Sequence, residues 1–439
     1  MTPELNAEQI AAAQVPAPGA LTLDHVAHFV PDIAAASAAL ERLGFTLTPF
    51  SEQSHRLEPE GPLVPAGTGN RCVMLERGYL EFLTPFAQTP VAEQLRAAMA
   101  RYVGVHLVAL GSSAPEIDHQ RLSRAGFDPL TPVALQRPID TEAGEETARF
   151  TVVRVPPGTM AEGRIQFCRH HTPEYLWQSR WLAHANGARA LSSVLLCVAD
   201  PDEAARRYSR FTGLAALPAG RALRIETARG ALVFASPGTL YDALGLTAPA
   251  LPWIAGYTIE VHDLAATRDF FAAARIEVRE LADGPLVVEL AHAGGTIVFE
   301  SAGTPPLTLD PGGKFAHAER MSALRELPDT RQVPGEPRRR WFSSVDLDLI
   351  VWLDDAERVV GFQLCYDKAR GERALTWRAE RGYDHSAVDD GESNPAQHKS
   401  TPILVADGHF DRERVSDIFL AASTDVPAPI RGAVAALLQ

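Results

Sequence analysis

The sequence is short of the features that mark secreted scaffolds, nucleic-acid binders and membrane spans. Its 439 residues hold four cysteines, Cys72, Cys168, Cys197 and Cys365, scattered and without a Cys-x-x-Cys pair. Such usage excludes a disulfide framework and reads as buried small hydrophobes in a reducing compartment. Positive charge is in the minority. The 41 Lys and Arg against 55 Asp and Glu leave a formal net charge of −14, which argues against nucleic acid or an acidic membrane as partner. The one basic cluster, "EPRRRW" at 336–341, is too short to reverse this and reads as a solvated loop. No apolar run approaches the roughly 18 residues of a membrane span. Residues 1–20 lack a basic segment followed by an apolar one, so they read as a flexible tail, and the cytoplasm is the expected location. No GxGxxG, Walker loop, GxSxG or HExxH occurs. The acidic stretch "DHSAVDDGE" at 384–392 lacks the spacing of a calcium loop and reads as a solvated turn.

What the sequence has is a repeat. "LTLDHVAHFV" at 21–30 predicts a strand, and "IAAASAALERLG" at 33–44 a helix stopped by glycine. "FTLTPF" resumes as strand, 51–69 reads as a loop, and "NRCVMLERG" and "YLEFLTPF" predict a hairpin about Gly78. The order is βαβββ. It restarts at "VGVHLVALG", again at "ALSSVLLCVADPDEAARRYSRFTGL" and once more at "WIAGYTIEVHDLAATRDFFAAARIEV". Repetition at this scale sets the architecture before any single motif does. The expected domains are the tail 1–20, a first pair of units at 21–185, a second pair at 186–303, a linker at 304–314 and an α+β domain at 315–439. In the last, 315–327 predicts a helix, "WFSSVDLDLIVWLDD" and "RVVGFQLCYDK" two strands about a turn near Asp354–Glu357, and 411–423 a closing helix.

Paired βαβββ units resemble the vicinal oxygen chelate superfamily, which includes glyoxalases and extradiol dioxygenases. The resemblance rests on "DHVAHFVPDIAAASAALERLGF", "GYLEFL" and the restart at "VGVHLV", and covers about 21–302 as architecture. The fold class implied is α+β, four βαβββ modules in two tandem pairs plus the C-terminal domain. In that family the first and last strands of each unit line a cleft and each offers one ligand. The resemblance then implies His25, Glu81, His106 and Gln166 as metal ligands, with "LEF" and "IQF" aligned, and Glu81 as the proton carrier. Two imidazoles and a carboxylate suit non-haem iron, and with a fourth ligand Zn, Ni or Mn acting as Lewis acid. A lone strand histidine is more often a hydrogen-bonded core residue, and it is the matched set that favours ligation.

The function implied is a glyoxalase-like, metal-dependent enzyme of isomerase or lyase type. Its substrate would be a small molecule that chelates the ion through neighbouring oxygens. A ring-cleaving dioxygenase and a non-catalytic binder of the same fold are the alternatives. The second pair maps Ser193, Val233, Tyr257 and Val298 onto the four ligand positions and so reads as degenerate. Strand alternation puts His25 on the cleft face and His28, with Asp24, on the opposite face against the helices. His170 and His171 read as a capped strand end, with a proton-handling role at the cleft mouth as the alternative, and Trp177 and Trp181 as packing between units. The strand edges of the C-terminal domain are a candidate surface for a homodimer, and its sequence carries no recognised chemistry.

Overall fold

In three of the four units an aspartate ends the first strand and starts the helix. Asp32 accepts hydrogen bonds from the amides of Ala34 and Ala35, Asp200 from Glu203, and Asp263 from Ala265 and Ala266. Each satisfies helix donors that have no partner within the helix. The second unit uses Pro115 at the first helical position instead, where a missing N–H costs nothing. The computed structural model describes residues 6–56, 63–281, 284–303, 309, 324–327, 330, 332–333, 335–344, 347–366, 373–389, 403–406 and 412–438.

Four βαβββ units follow a short helix α1 (Ala7–Ala12). The first is β1 (Thr22–Phe29), α2 (Ile33–Arg42), β2 (Ser51–Arg56), β3 (Leu63–Met74) and β4 (Tyr79–Pro85). Helix α3 (Pro90–Met99) leads to β5 (Gly104–Gly111), α4 (Pro115–Arg124), β6 (Val133–Thr141), β7 (Gly144–Arg154) and β8 (Arg164–His170). Helix α5 (Pro173–Leu176) precedes β9 (Ala188–Cys197), α6 (Pro201–Thr212), β10 (Ala216–Ala219), β11 (Ala222–Glu226) and β12 (Ala231–Ala235). Helix α7 (Pro237–Leu244) precedes β13 (Trp253–Val261), α8 (Leu264–Ala273), β14 (Arg279–Glu280), β15 (Leu286–Glu289) and β16 (Thr296–Ser301).

Within a pair the two units join by their first strands. The first pair runs β2-β3-β4-β1-β5-β8-β7-β6 and the second β10-β11-β12-β9-β13-β16-β15-β14. One bridge, Val105 to Ile254, joins β5 to β13. The main core lies on the helix side and between the pairs, around Val26, Leu80, Phe82, Val108, Phe211, Tyr257 and Phe299.

Two stretches depart from expectation. Residues 45–50 are not strand, and the described parts of 51–69, residues 51–56 and 63–69, are not loop but the paired strands β2 and β3, with Ser54 opposite Pro65. A Pro- and Gly-rich run can lie in an edge hairpin, where pairing outweighs propensity. The expected tail is ordered from Asn6. Asn6 and Gln9 form a capping box for α1, Ile10 is buried, and Gln14 bonds the carbonyl of Glu76 and the amide of Gly78.

The chain divides into two compact units, 1–313 and 314–439. Of 304–314 only Leu309 is described, buried and bridged to Gly220. The second unit is an antiparallel meander of β17 (Arg325–Glu326), β18 (Arg338–Ser343), β19 (Asp348–Leu353), β20 (Val359–Tyr366), β21 (Arg373–Arg378), β22 (Gly382–Asp389) and β23 (Ile403–Ala406). Helices α9 (Arg412–Ala422) and α10 (Ala428–Leu438) cover it through Phe419, Ile430 and Val434. The helix expected at 315–327 lies largely outside the described residues, and its end is β17, paired with β18. The turn expected at 384–392 is, as far as Asp389, strand β22, where His385 bonds the Tyr366 hydroxyl at 2.6 Å.

His28 ties the pairs together. It faces away from the first cleft, but onto the second pair rather than the helices. Its Nδ1 bonds the Ala293 carbonyl at 3.1 Å, its Nε2 the Tyr257 hydroxyl at 3.0 Å, and its ring stacks on Phe82. Burial pulls its pKa down to about 4, so it is neutral when folded. The unfolded chain takes up this proton near pH 6.5 and the folded chain only near 4. Folding is therefore opposed as pH falls through that window. Urea titrations at pH 7 and pH 5 should show about 2 kcal/mol lost through this ring. His28→Gln, weaker at pH 7, should show a correspondingly smaller loss. An equal loss in the variant would mean that His28 is not the group responsible.

Candidate active site

The antiparallel pairing of β1 with β5 decides which side chains reach the first cleft. Leu23 faces Leu110 and His25 faces Ala109, so Asp24 is an extra residue. Ala27 faces Leu107 and His28 faces Val105, so His106 is extra on the other strand. Each bulge breaks strict alternation. The flanking parallel pairs carry the register outward. Ala27 faces Glu81 just as Ala109 faces Gln166, and His25 faces Tyr79 as Leu107 faces Arg164. Glu81 and Gln166 are thus equivalent by the internal two-fold, and the equivalent of His25 is Leu107.

His25, Glu81 and Gln166 all line one cavity of about 390 Å³ in the first pair. The expectation for His106 is corrected. It is sandwiched between Tyr102 and Phe29, its Nε2 bonds the Tyr102 carbonyl at 2.8 Å, and Leu107 lines the cavity instead. Burial lowers its pKa to about 4 and keeps the ring neutral.

Two of the three remaining residues, Glu81 and His25, are held from behind. Glu81 Oε1 accepts from the side-chain amides of Asn70 and Gln53, the latter at 3.3 Å, which leaves Oε2 as the oxygen for a ligand. His25 Nδ1 bonds Asp24 Oδ2 at 2.6 Å. A carboxylate behind an imidazole fixes its tautomer and leaves Nε2 with its lone pair. Gln166 Oε1 is buried and has no hydrogen-bond partner. An unsatisfied buried acceptor is costly, and a cation supplies what it lacks. An imidazole nitrogen and two side-chain oxygens are donor types that suit a divalent metal, while Leu107, at the place symmetric with His25, offers no donor.

Beneath the cavity floor sits a buried ion pair. His170 Nε2 lies 3.1 Å from both Asp24 oxygens. Burial opposes the charge on each, but the pair wins. Asp24 falls well below the usual carboxylate range, and His170 rises to about 10. Asp24, Cys168 and His170 also form a possible metal-ligand cluster, their ligand atoms within 4.8 Å of one another. Trp177 closes this floor, its Nε1 donating to the Leu75 carbonyl and its ring meeting Tyr79 and His170 edge-on. Burial pushes the Cys72 thiol up to about 12 and raises Cys168 as well, so neither is a thiolate at neutral pH. His171, by contrast, bonds Thr151 at the exposed strand end.

Asp24 is not a candidate from sequence, because alternation places it on the far face, and His170, weighed there as a proton carrier at the cleft mouth, instead lies buried against Asp24. The signal for Asp24 would have been the bulge, which local sequence does not encode strongly.

The second pair repeats the register without the chemistry. Ser193, Val233 and Val298 take the places of His25, Glu81 and Gln166. Gly256, rather than Tyr257, matches Leu107, because Ala255 is the extra residue. Its concave face is filled by Leu195, Leu240, Leu244, Leu246 and Trp253.

Asp24→Asn should leave His170 without its counter-charge and His25 without its orienting acceptor. The expected loss is about 3–5 kcal/mol of unfolding free energy, the usual result of breaking a buried pair. Chemical denaturation measures it. A loss below about 1 kcal/mol would show that the pair behaves as an exposed one.

Residues 23–212 match the family described as "Glyoxalase-like domain". No curated protein is matched by the sequence. Among solved structures, a hypothetical protein from Staphylococcus aureus aligns with TM-score 0.45 and 10% identity over 64% of this chain and 99% of that one. A xylose isomerase-like TIM barrel/4-hydroxyphenylpyruvate dioxygenase fusion protein aligns with TM-score 0.39 and 13% identity over 66% of this chain and 51% of the other, about half its length. A variant of 4-hydroxymandelate synthase from Streptomyces coelicolor gives TM-score 0.39 and 13% identity over 66% of this chain and 95% of that one. Over residues 23–212, a little under half of its length, the chain is thus similar to a glyoxalase-like domain.

Proposed function

We propose that the cleft of the first pair is the working site of a metal-dependent enzyme acting on a small molecule. His25 Nε2, Glu81 Oε2 and Gln166 Oε1 would hold the ion. The observation that carries this is the buried, unpartnered Oε1 of Gln166 in the wall that also presents His25 and Glu81. One nitrogen and two oxygens suit Mn, Fe, Zn or Ni. A bound ion would supply Lewis acidity to substrate oxygens, the family's chemistry. The chain's own residues do the rest. Asp24 orients His25, and Asn70 and Gln53 fix Oε1 of Glu81, so that Oε2 either holds the ion or, when not bound to it, takes or returns a proton beside the substrate. Cys72 and Cys168 line the cavity as thiols held protonated by burial and so offer no competing thiolate.

An isomerase or lyase is favoured over a dioxygenase because the cavity presents one imidazole, His25, where the non-haem iron set takes two. A non-catalytic binder is the second reading, and Leu107 at the fourth position favours it. Metal analysis of protein purified without chelator decides. The enzyme reading expects about one equivalent of divalent metal, lost in His25→Ala and in Glu81→Ala. Less than about one tenth of an equivalent, unchanged by His25→Ala, would leave the binder. Iron with oxygen uptake would move the reading to the dioxygenase.

Leu107→His restores an imidazole at the place symmetric with His25. It should tighten metal binding about tenfold or more, as read by competition with a chromogenic chelator. No gain would mean that the four positions do not address one ion.

A further inference from the structure

The partly buried arginines of the first 313 residues mostly come with carboxylates. Arg207 bonds Glu162 and Glu203, Arg189 bonds Glu76, Arg121 pairs with Asp118, and Arg77 with Glu260. Arg154 and Arg164 break the pattern. Both line the 390 Å³ cavity, and neither has a salt bridge among the described residues. Arg154 on β7 faces Gln166 across the ladder, and Arg164 on β8 lies two residues before it, on the same face. Arg154 Nε is buried without a hydrogen-bond partner, and Arg164 has one long bond, 3.3 Å to Gln94 Oε1. The one carboxylate among the described residues that acts on Arg164 is Glu81, in the wall of the same cavity, and two guanidiniums outnumber it. Two like charges in one wall, each partly desolvated, cost stability unless an anion joins them. The cavity supplies the rest of a binding site. Leu83, Leu107, Leu135, Phe150 and Val152 line it as an apolar bed, the composition typical of small-molecule pockets.

We propose that Arg154 and Arg164 form an anion-binding subsite that grips the oxyanion group, carboxylate or phosphate, of a small molecule whose apolar body lies on that bed. The inference rests on reading this cleft as the working site, and it names the substrate class. Guanidinium forks match planar and tetrahedral oxyanions bidentately, and water-poor surroundings strengthen such bonds. The anion would also place the rest of the ligand beside Gln166, one ladder step from Arg154.

The test uses the full chain, free of metal, titrated calorimetrically with benzoate, phenyl phosphate and benzamide. These share one apolar body and differ in the head group. An anion should bind about tenfold or more tightly than the neutral amide. The tighter of benzoate and phenyl phosphate identifies the head group. Arg154→Met and Arg164→Met should each weaken the anion about tenfold or more. Without ligand, neither should melt below the wild type, because each removes a repulsion. A structural role would lower the melting temperature instead. Equal binding of anion and amide by the wild type, or no saturable binding of either anion at about 10 mM, overturns the subsite whether or not the variants fold. The same titration on His25→Ala separates this proposal from the last. Anion preference without metal binding keeps the subsite and removes the metal reading, and metal binding without anion preference does the reverse.

Discussion

The antiparallel seam between β1 and β5 is the constraint on which the first cleft depends. A strand sends alternate side chains to opposite faces, so a single extra residue changes what the cleft is made of. Here each strand of the seam carries one, Asp24 on β1 and His106 on β5. The first brings a carboxylate against the back of His25. The second removes an imidazole from the ring of cleft positions and leaves Leu107 in its place. Gly78 shows how tightly the seam is held. Its φ is +76°, and a Cβ there would come within 2.6 Å of the Asp24 carbonyl, so the hairpin between β3 and β4 must be glycine where it passes the bulge.

That seam also places a charge where hydrophobic burial alone would forbid one. Asp24 is wholly buried and ionised because two imidazoles reach it, and His170 is charged because Asp24 is. Neither would keep its charge without the other. Trp177 and Tyr79 wall the pair off from water, and His25 carries its influence to the cavity. An arrangement of this kind makes the orientation of His25 a property of the core rather than of the cleft surface. Stability and site geometry are therefore coupled through one carboxylate.

The architecture was legible in the sequence because it is written four times. The aspartate before the helix, the glycine after it and the closing strands recur, and each copy supports the reading of the others. Glu81 and Gln166 could be matched from "LEF" and "IQF" because β4 and β8 pair with their first strands in the same register. His106 and Asp24 could not be placed, since a bulge depends on the partner strand as much as on the residues themselves. The edge hairpin of β2 and β3 and the ordering of α1 were hidden for a related reason. Both are stabilised by contacts with segments distant in sequence, Gln14 with Glu76 and Gly78 among them. Arg154 and Arg164 were invisible as a pair until the ladder set one beside the other.

The two pairs show what the first cleft has been spared. The same register in the second pair yields serine, valine, glycine and valine, and its hollow is packed with leucine and tryptophan. A hollow with no polar work to do gains stability by filling, since burying apolar surface is favourable and buried acceptors without partners are not. The first cleft keeps its space, an unpartnered amide oxygen and two guanidiniums that form no salt bridge among the described residues. Each of these is destabilising in the empty protein, and they stand within a few residues of one another on β7 and β8. Features that oppose folding and cluster on one wall are what a ligand site requires. On the proposed reading a metal would answer the oxygen and an anion the guanidiniums, and the second pair, with neither to bind, keeps a packed apolar core in their place.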